Sequence, residues 1–323
     1  MTAPRTGEVL ALRNAAAFCR HGLRQLVAVS GHDALPWLDR LLSQPVASIS
    51  QDRAVAAVFM DGKGRLRADV RVLALDDPHQ RVWLELPADD GKLLKLLDMF
   101  VIQDDVALSS AAGQLSLVTV AGPQAGDVLR AAAVELPEAD RITHTNDGVA
   151  AVCSRLAGVP GYDLLGSDEA LDRLLAGLSS QGLAEVSVAA LDCVRIAAGV
   201  PWFANDLAGD VIPLEALLDD HVSVTKGCYP GQEIVARITN RGQVSRKLVR
   251  LSAAAGSAPA PGTELQGCGQ SEGKSGGLVT SSCIDPVDGT VHALGYLRRI
   301  FWKSQTQVTA AEQTFEVHSL DSD

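Results

Sequence analysis

Lys226-Gly227-Cys228-Tyr229-Pro230-Gly231-Gln232-Glu233 puts a thiol beside an ammonium group, inside a backbone that two glycines and a proline must bend. Tyr229-Pro230-Gly231-Gln232 reads as a type II turn. Pro230 presets φ at the second position and Gly231 accepts a positive φ at the third. Gln232 and Glu233 then open a helix through Ile234, Val235 and Ile238, and Glu233 complements the dipole at its start. Turn amides and Lys226 close to Cys228 favour the thiolate and attract anions. Cys228 and Lys226 are therefore the expected catalytic pair. The alternative is a buried packing cysteine, the commoner role of a free thiol.

Around this stretch the charge is uneven. The 323-residue chain carries a net charge of −11, yet residues 226–250 hold Lys226, Arg237, Arg241, Arg246, Lys247 and Arg250 against Glu233 alone, a local +5. The acidic whole argues against general nucleic-acid binding. The basic segment suits a small polyanion, with Arg237 and Arg241 four residues apart on one helical face. A solvated face paired to acidic neighbours is the alternative. At 47% hydrophobic the chain can build a real core in two or three domains. No apolar run is long enough to span a bilayer, and Met1-Thr2-Ala3-Pro4-Arg5 lacks the apolar centre of a signal peptide. A soluble cytoplasmic protein is expected. The six cysteines (19, 153, 193, 228, 268 and 283) are scattered without a Cys-x-x-Cys pair, so reduced thiols are expected.

Hydrophobic periodicity predicts a strand at 26–30, a helix at 33–42, a hairpin of 54–60 with 65–75 around Asp61-Gly62-Lys63-Gly64, a strand at 82–86, a helix at 91–100 and a strand at 106–109. A second unit follows: a strand at 115–120, a helix at 124–133, strands at 148–155 and 162–165, and a helix at 168–178 capped by Ser167. Both read as β-α-β-β-α-β, the ferredoxin-like order, so an internal pseudo-repeat is expected. Ala189–Ala198 reads as a short helix. After Arg246 come a Pro-rich loop and short β-stretches, a small β-domain.

Other motifs fall away. Cys268-Gly269-Gln270-Ser271-Glu272-Gly273-Lys274-Ser275 lacks the first glycine of a phosphate-binding loop and runs into a strand, so a hairpin loop is expected. The seven histidines have no ligand spacing for zinc. His221, five residues before the signature, is a weak partner for Cys228.

The octapeptide resembles the signature of the YgfZ-type folate-binding proteins, relatives of the glycine-cleavage T-protein, an aminomethyltransferase. Every fixed position of the family's Lys-Gly-Cys-Tyr-x-Gly-Gln-Glu is present. Arg195-Ile196-Ala197-Ala198-Gly199-Val200-Pro201, Ile212-Pro213-Leu214-Glu215, Val235-Ala236-Arg237, Arg241-Gly242 and Gly62-Lys63-Gly64-Arg65 resemble further family segments. The resemblance implies an α+β fold of two interleaved ferredoxin-like units plus a C-terminal β-barrel, around a central opening of folate size. The expected divisions are 1–112, 113–245 with the signature, and 246–323. It implies tetrahydrofolate or a derivative as cofactor, no permanently bound metal, and a role assisting assembly or repair of iron–sulfur clusters in transient client enzymes. No nucleic acid or membrane partner is expected. Tyr229, Gln232, Glu233, Arg237, Arg241 and Arg195 are the expected cofactor-binding residues. The alternative is a tetrahydrofolate-dependent aminomethyltransferase or demethylase. The chain departs from the T-protein pattern at Ala197, where a pterin-holding Glu is missing, and around Leu86-Pro87-Ala88-Asp89-Asp90, where Asp89 and Asp90 are candidates for its folate-proximal acid. A pure scaffold with a structural Cys228 is a third reading.

Overall fold

The computed structural model describes residues 3–242, 244–268, 273–303 and 305–320; the side chain of Arg241 lies outside this description. The chain opens with α1 (Thr6–Asn14) and β1 (Ala17–Cys19). There follow β2 (Arg24–Ser30), α2 (Ala34–Leu41), β3 (Arg53–Met60), β4 (Leu66–Ala74), β5 (Arg81–Pro87), α3 (Lys92–Asp98) and β6 (Ala107–Ser110). Their strands form one antiparallel sheet in the order β3-β4-β5-β2-β6. Within it, β6-β2-β5-β4 has the ferredoxin-like arrangement expected from sequence, and β3 adds an edge strand.

The next elements are β7 (Ser116–Ala121), α4 (Ala125–Ala131), β8 (Ile142–His144), β9 (Ala150–Cys153), β10 (Gly161–Gly166), α5 (Asp168–Ser180) and β11 (Ala184–Glu185). Their sheet runs β8-β9-β10-β7-β1-β11. It repeats the first sheet strand for strand, except that β1 is inserted between β7 and β11. The pseudo-repeat is thus a repeat of topology. The insertion is the interleaving: β1 lies before residue 112 in the chain but pairs antiparallel with β7 and parallel with β11.

Each sheet is covered by helices on one face and by the other sheet on the second. On β2, Val27 and Val29 join the cluster beneath α2, where Leu35, Trp37, Leu38 and Leu41 point inward. The alternate residues Leu26 and Ala28 meet Leu165, Val152 and Ile142 across the inter-sheet face. Burial on both faces explains why these strands read as nearly continuous apolar runs. Each fully buried Leu or Val contributes about 1.5–3 kcal/mol relative to exposure. Ser167 caps α5 as expected, accepting from the Ala170 amide at 3.2 Å.

After α6 (Val188–Ala198), one π-helical turn at Phe203–Leu207 and two 3₁₀ turns (Pro213–Glu215 and Asp219–His221) lead to α7 (Gln232–Arg241). The last six strands are β12 (Arg246–Ala253), β13 (Glu264–Gly267), β14 (Ser275–Ile284), β15 (Val291–Arg298), β16 (Gln307–Ala310) and β17 (Gln313–Ser319). They close into a barrel in the order β12-β15-β14-β13-β16-β17. The hairpin loop expected near 268–275 falls between β13 and β14; its residues 269–272 lie outside the described residues. Among the described residues no helix is long and apolar enough to cross a membrane.

Candidate functional site

The period-2 alternation that builds the inter-sheet core also builds a charged end to it. On β2, Arg24 shares a face with Leu26 and Ala28. On β4, Asp69 and Arg71 share a face with Leu73, and on β5 Glu85 shares one with Trp83. On the facing sheet Asp163 of β10 lies in step with Leu165. The charges interlock. Arg24 reaches Asp69 at 2.9 Å and Glu85 at 2.9 Å. Arg71 grips Glu85 through two nitrogens, reaches Asp163 at 2.5 Å and donates to the Cys153 carbonyl at 2.8 Å. The Thr119 hydroxyl donates to Asp163 at 2.6 Å, and His21 Nε2 lies 2.9 Å from that hydroxyl. Burial opposes charge here, but Glu85 and Asp163 hold the Arg71 pKa above its usual range. Burial likewise opposes ionisation of Asp163, yet Arg71 and Thr119 keep its carboxyl below the usual range.

A cavity of about 380 Å³ opens beside this network, between the two sheets and the segment after α6. Arg24, Asp69, Arg71, Glu85 and Asp163 line its polar side; Val70, Pro87, Trp202, Phe203 and Leu207 line its apolar side. Arg155, 55% exposed, stands on the solvent side. It bonds Asp220 at 3.0 Å and His221 Nε2 at 3.2 Å. Each of the three lining carboxylates is held by a guanidinium, so none is free to act as a base.

The signature forms a second place. Its turn closes as read: the Gln232 amide donates to the Tyr229 carbonyl at 3.3 Å, and Gly231 has φ 81°. The 61–64 hairpin tip fills the space where a side chain at 231 would go. Cys228 is exposed. The Lys226 ammonium is engaged on the first sheet's helix. Its Nζ donates to the carbonyls of Asp39, Leu42 and Gln44 at 2.7, 3.0 and 3.0 Å, and lies 3.3 Å from the Asp39 carboxylate. It caps the C-terminal end of α2 and straps the signature loop to the first sheet's helix. Tyr229 donates its hydroxyl to the Ser223 carbonyl at 2.6 Å, and Gln232 donates to the Lys226 carbonyl at 3.0 Å. Both hold the loop's own shape. Glu233 and Arg237 pair with each other at 2.9 Å on the exposed face of α7. Arg241 ends that helix, its side chain outside the described residues.

Arg195, expected on the cofactor, is fully buried instead. It grips Asp206, reaches Asp192 at 2.7 Å and Ser281 at 2.8 Å, and stacks over Trp202. It joins α6, the π-helical turn and the barrel. None of these expected residues with described side chains lines the cavity. The basic segment is not one site either: Lys226 enters α2, Arg237 meets Glu233, and Arg246 meets Glu215 at 3.0 Å. His221 is taken by Asp220 at 2.7 Å. Asp89 accepts from Gln25 at 2.9 Å and from the Leu93 amide at 2.6 Å, stitching the start of α3 beside the cavity's Pro87 and Ala88.

The family model described as the GCVT N-terminal domain matches residues 1–226. The chain belongs to that family. It is similar to the tRNA-modifying protein YgfZ of Yersinia enterocolitica, 27% identical over 272 residues, covering 82% of this chain and 79% of that one. It is also similar to an aminomethyltransferase of Caldanaerobacter subterraneus, 23% identical over 287 residues, covering 85% and 75%. The glycine cleavage system aminomethyltransferase T of Bartonella henselae superposes with a TM-score of 0.82 at 21% identity, over 98% of this chain and 88% of that one. That likeness shows the fold, with the two units and the barrel expected from sequence.

The charged network has a pH consequence. His21 is only 7% exposed, and its Nδ1 has no hydrogen-bond partner among the described residues. Burial pushes its pKa below 6.5, with Asp163 and Glu85 only partly opposing. A depressed histidine pKa means that the unfolded chain binds the proton more readily. The stability this contributes is complete above about pH 6.5 and is lost as pH falls below it. The melting temperature should be level above that pH and decline below it, less steeply in His21→Gln. Equal declines in the two proteins would remove His21 from the account.

Proposed function

We propose that the chain is a cytoplasmic accessory protein that binds a reduced folate in the inter-sheet cavity and assists iron–sulfur client enzymes through Cys228. The observation that carries this reading is the pairing of all three cavity carboxylates with Arg24 and Arg71. A site that binds but offers no free base suits a carrier or sensor better than a transferase. The cavity fits the group: apolar walls from Trp202, Phe203 and Leu207 suit a flat ring system. Arg155 on the solvent side suits the carboxylates of a glutamate tail, which a guanidinium can hold bidentately. A bound reduced folate would supply one-carbon carrier chemistry. Cys228 lies outside the cavity wall and is exposed, where a partner protein can reach it. One thiol cannot hold a cluster alone, which favours transient contact with a client that brings its own ligands. The relatives named as tRNA-modifying fit the same reading when the client, rather than this acidic chain, touches the RNA.

Calorimetric titration with tetrahydrofolate under anaerobic conditions tests the binding. Saturable heat that weakens with salt and falls in Arg155→Ala is expected. No heat at sub-millimolar ligand would overturn it. Cys228→Ser should keep both folate affinity and melting temperature while cells expressing it lose iron–sulfur enzyme activity. Lys226→Ala should lower the melting temperature as well, because it abandons three carbonyls at the end of α2. Turnover with glycine-cleavage components would favour the aminomethyltransferase reading instead.

A further inference from the structure

Cys193 on α6 and Cys283 on β14 lie 90 residues apart in sequence, yet their sulfurs are 3.4 Å apart. We infer that these two thiols are a reversible disulfide pair that cross-links α6 to the barrel. A disulfide needs about 2.05 Å between sulfurs, so a closure of a little over 1 Å is required. The surroundings already hold the partners in register. Two residues along α6, Arg195 bonds Ser281, which stands two residues before Cys283 on β14. Helix α6 packs on β14 and β15 along the same interface. The two contacts, Cys193 to Cys283 and Arg195 to Ser281, act as parallel rungs between helix and strand.

The chemistry assigns distinct roles to the sulfurs. Cys193 is fully buried, whereas Cys283 is partly exposed. The Cys283 thiol donates toward the Cys193 sulfur, which favours the thiolate at Cys193, while burial and that same bond keep Cys283 protonated. A hydroperoxide reaching Cys283 transfers one oxygen to it, giving a sulfenic acid and an alcohol, or water from hydrogen peroxide. Cys193 sulfur then attacks Cys283 sulfur, and the sulfenic hydroxyl leaves with a proton as water. Two thiols and one peroxide thus become one disulfide, one alcohol or water, and one further water. A dithiol reverses the bond by exchange.

The segment that follows α6 carries Val200, Pro201, Trp202 and Phe203 into the cavity wall. Fixing α6 to the barrel therefore fixes that wall, whatever ligand the cavity takes.

The test uses the purified full chain exposed to hydrogen peroxide, then unfolded in guanidinium with N-ethylmaleimide present and mapped by mass spectrometry without reduction. The expected product is a peptide pair joining Cys193 to Cys283, lighter by two hydrogens and restored by dithiothreitol. The oxidised protein should melt roughly 5–10 °C higher. Cys228→Ser should still form the bond, and Cys283→Ser should show neither bond nor shift. If Cys193 and Cys283 are both recovered as maleimide adducts after peroxide has oxidised Cys228, or if Cys283 is recovered as sulfinic acid without a cross-link, the pair is packing alone.

Discussion

Gly231→Val should melt far below the wild-type protein, with a loss of at least about 3 kcal/mol. Two independent penalties act at this position. Gly231 has φ 81°, where a β-branched residue is strained. A Cβ there would stand 2.7 Å from Gly64 Cα and 2.9 Å from the Asp61 carbonyl oxygen. Both are backbone atoms of the 61–64 hairpin tip, so neither can swing aside. That tip is itself braced, because Asp61 accepts from the Lys63 amide at 2.9 Å and the Arg65 amide at 3.0 Å. The interlock runs both ways: a Cβ at Gly64 would meet Ile234 of α7 at 2.9 Å. Gly227 is the control. It belongs to the same signature, but a Cβ there meets nothing within 4 Å and its φ is not positive. Gly227→Ala should therefore melt close to wild type, and Gly231→Ala should fall between the two. Thermal melts of the three variants decide the matter. Wild-type melting in Gly231→Val would mean that the hairpin does not brace the signature turn.

The turn at 229–232 could be read because its chemistry is local: proline and glycine dictate φ whatever surrounds them. The two α+β units and the barrel were legible from hydrophobic period and from the family resemblance. The insertion of β1 was not, since a three-residue apolar strand carries no mark of which sheet it will join. The partners of Lys226 were not legible, because sequence adjacency to Cys228 says little in an irregular loop, where neighbouring side chains diverge. Its partners, the carbonyls at the end of α2, lie some 180 residues away. Arg195 sits on a family motif, but its partners Asp206 and Ser281 are reached only once the barrel docks on α6. The cavity's charges did leave a signal. Arg71, Glu85 and Asp163 stand at buried positions in otherwise apolar strands, and a charge there implies a paired partner across the core. Which partner it is depends on how the two sheets face each other, and the sequence pattern carries no statement of that.

Arg71→Ala is the substitution that tests this core most severely. Arg71 is the bridge of the network, touching carboxylates of both sheets: Glu85 on the first and Asp163 on the second. Removing it leaves Glu85 with Arg24 but leaves the buried Asp163 carboxylate with neutral side-chain partners, the hydroxyls of Thr119 and Ser154, in place of a cation. An uncompensated buried carboxylate costs about 3–5 kcal/mol, and the melting temperature should drop accordingly. Pairing Arg71→Met with Asp163→Leu removes the stranded charge, and that double variant should recover more than half of the loss. Arg71→Ala with Asp163→Ala separates a charge penalty from a simple cavity penalty, because it removes the stranded charge while enlarging the void: partial recovery means charge, and a deeper loss means cavity. The pH dependence gives a further distinction. In the wild-type protein the Asp163 pKa is depressed, so its contribution is present above about pH 3.8 and is lost as pH falls. In Arg71→Ala, burial acts on Asp163 without the guanidinium, and protonation relieves the strain. The stability gap between the two proteins should therefore be widest near neutral pH and should narrow as pH falls through the carboxylate range. A gap that stays constant with pH would assign Arg71 to packing rather than to charge.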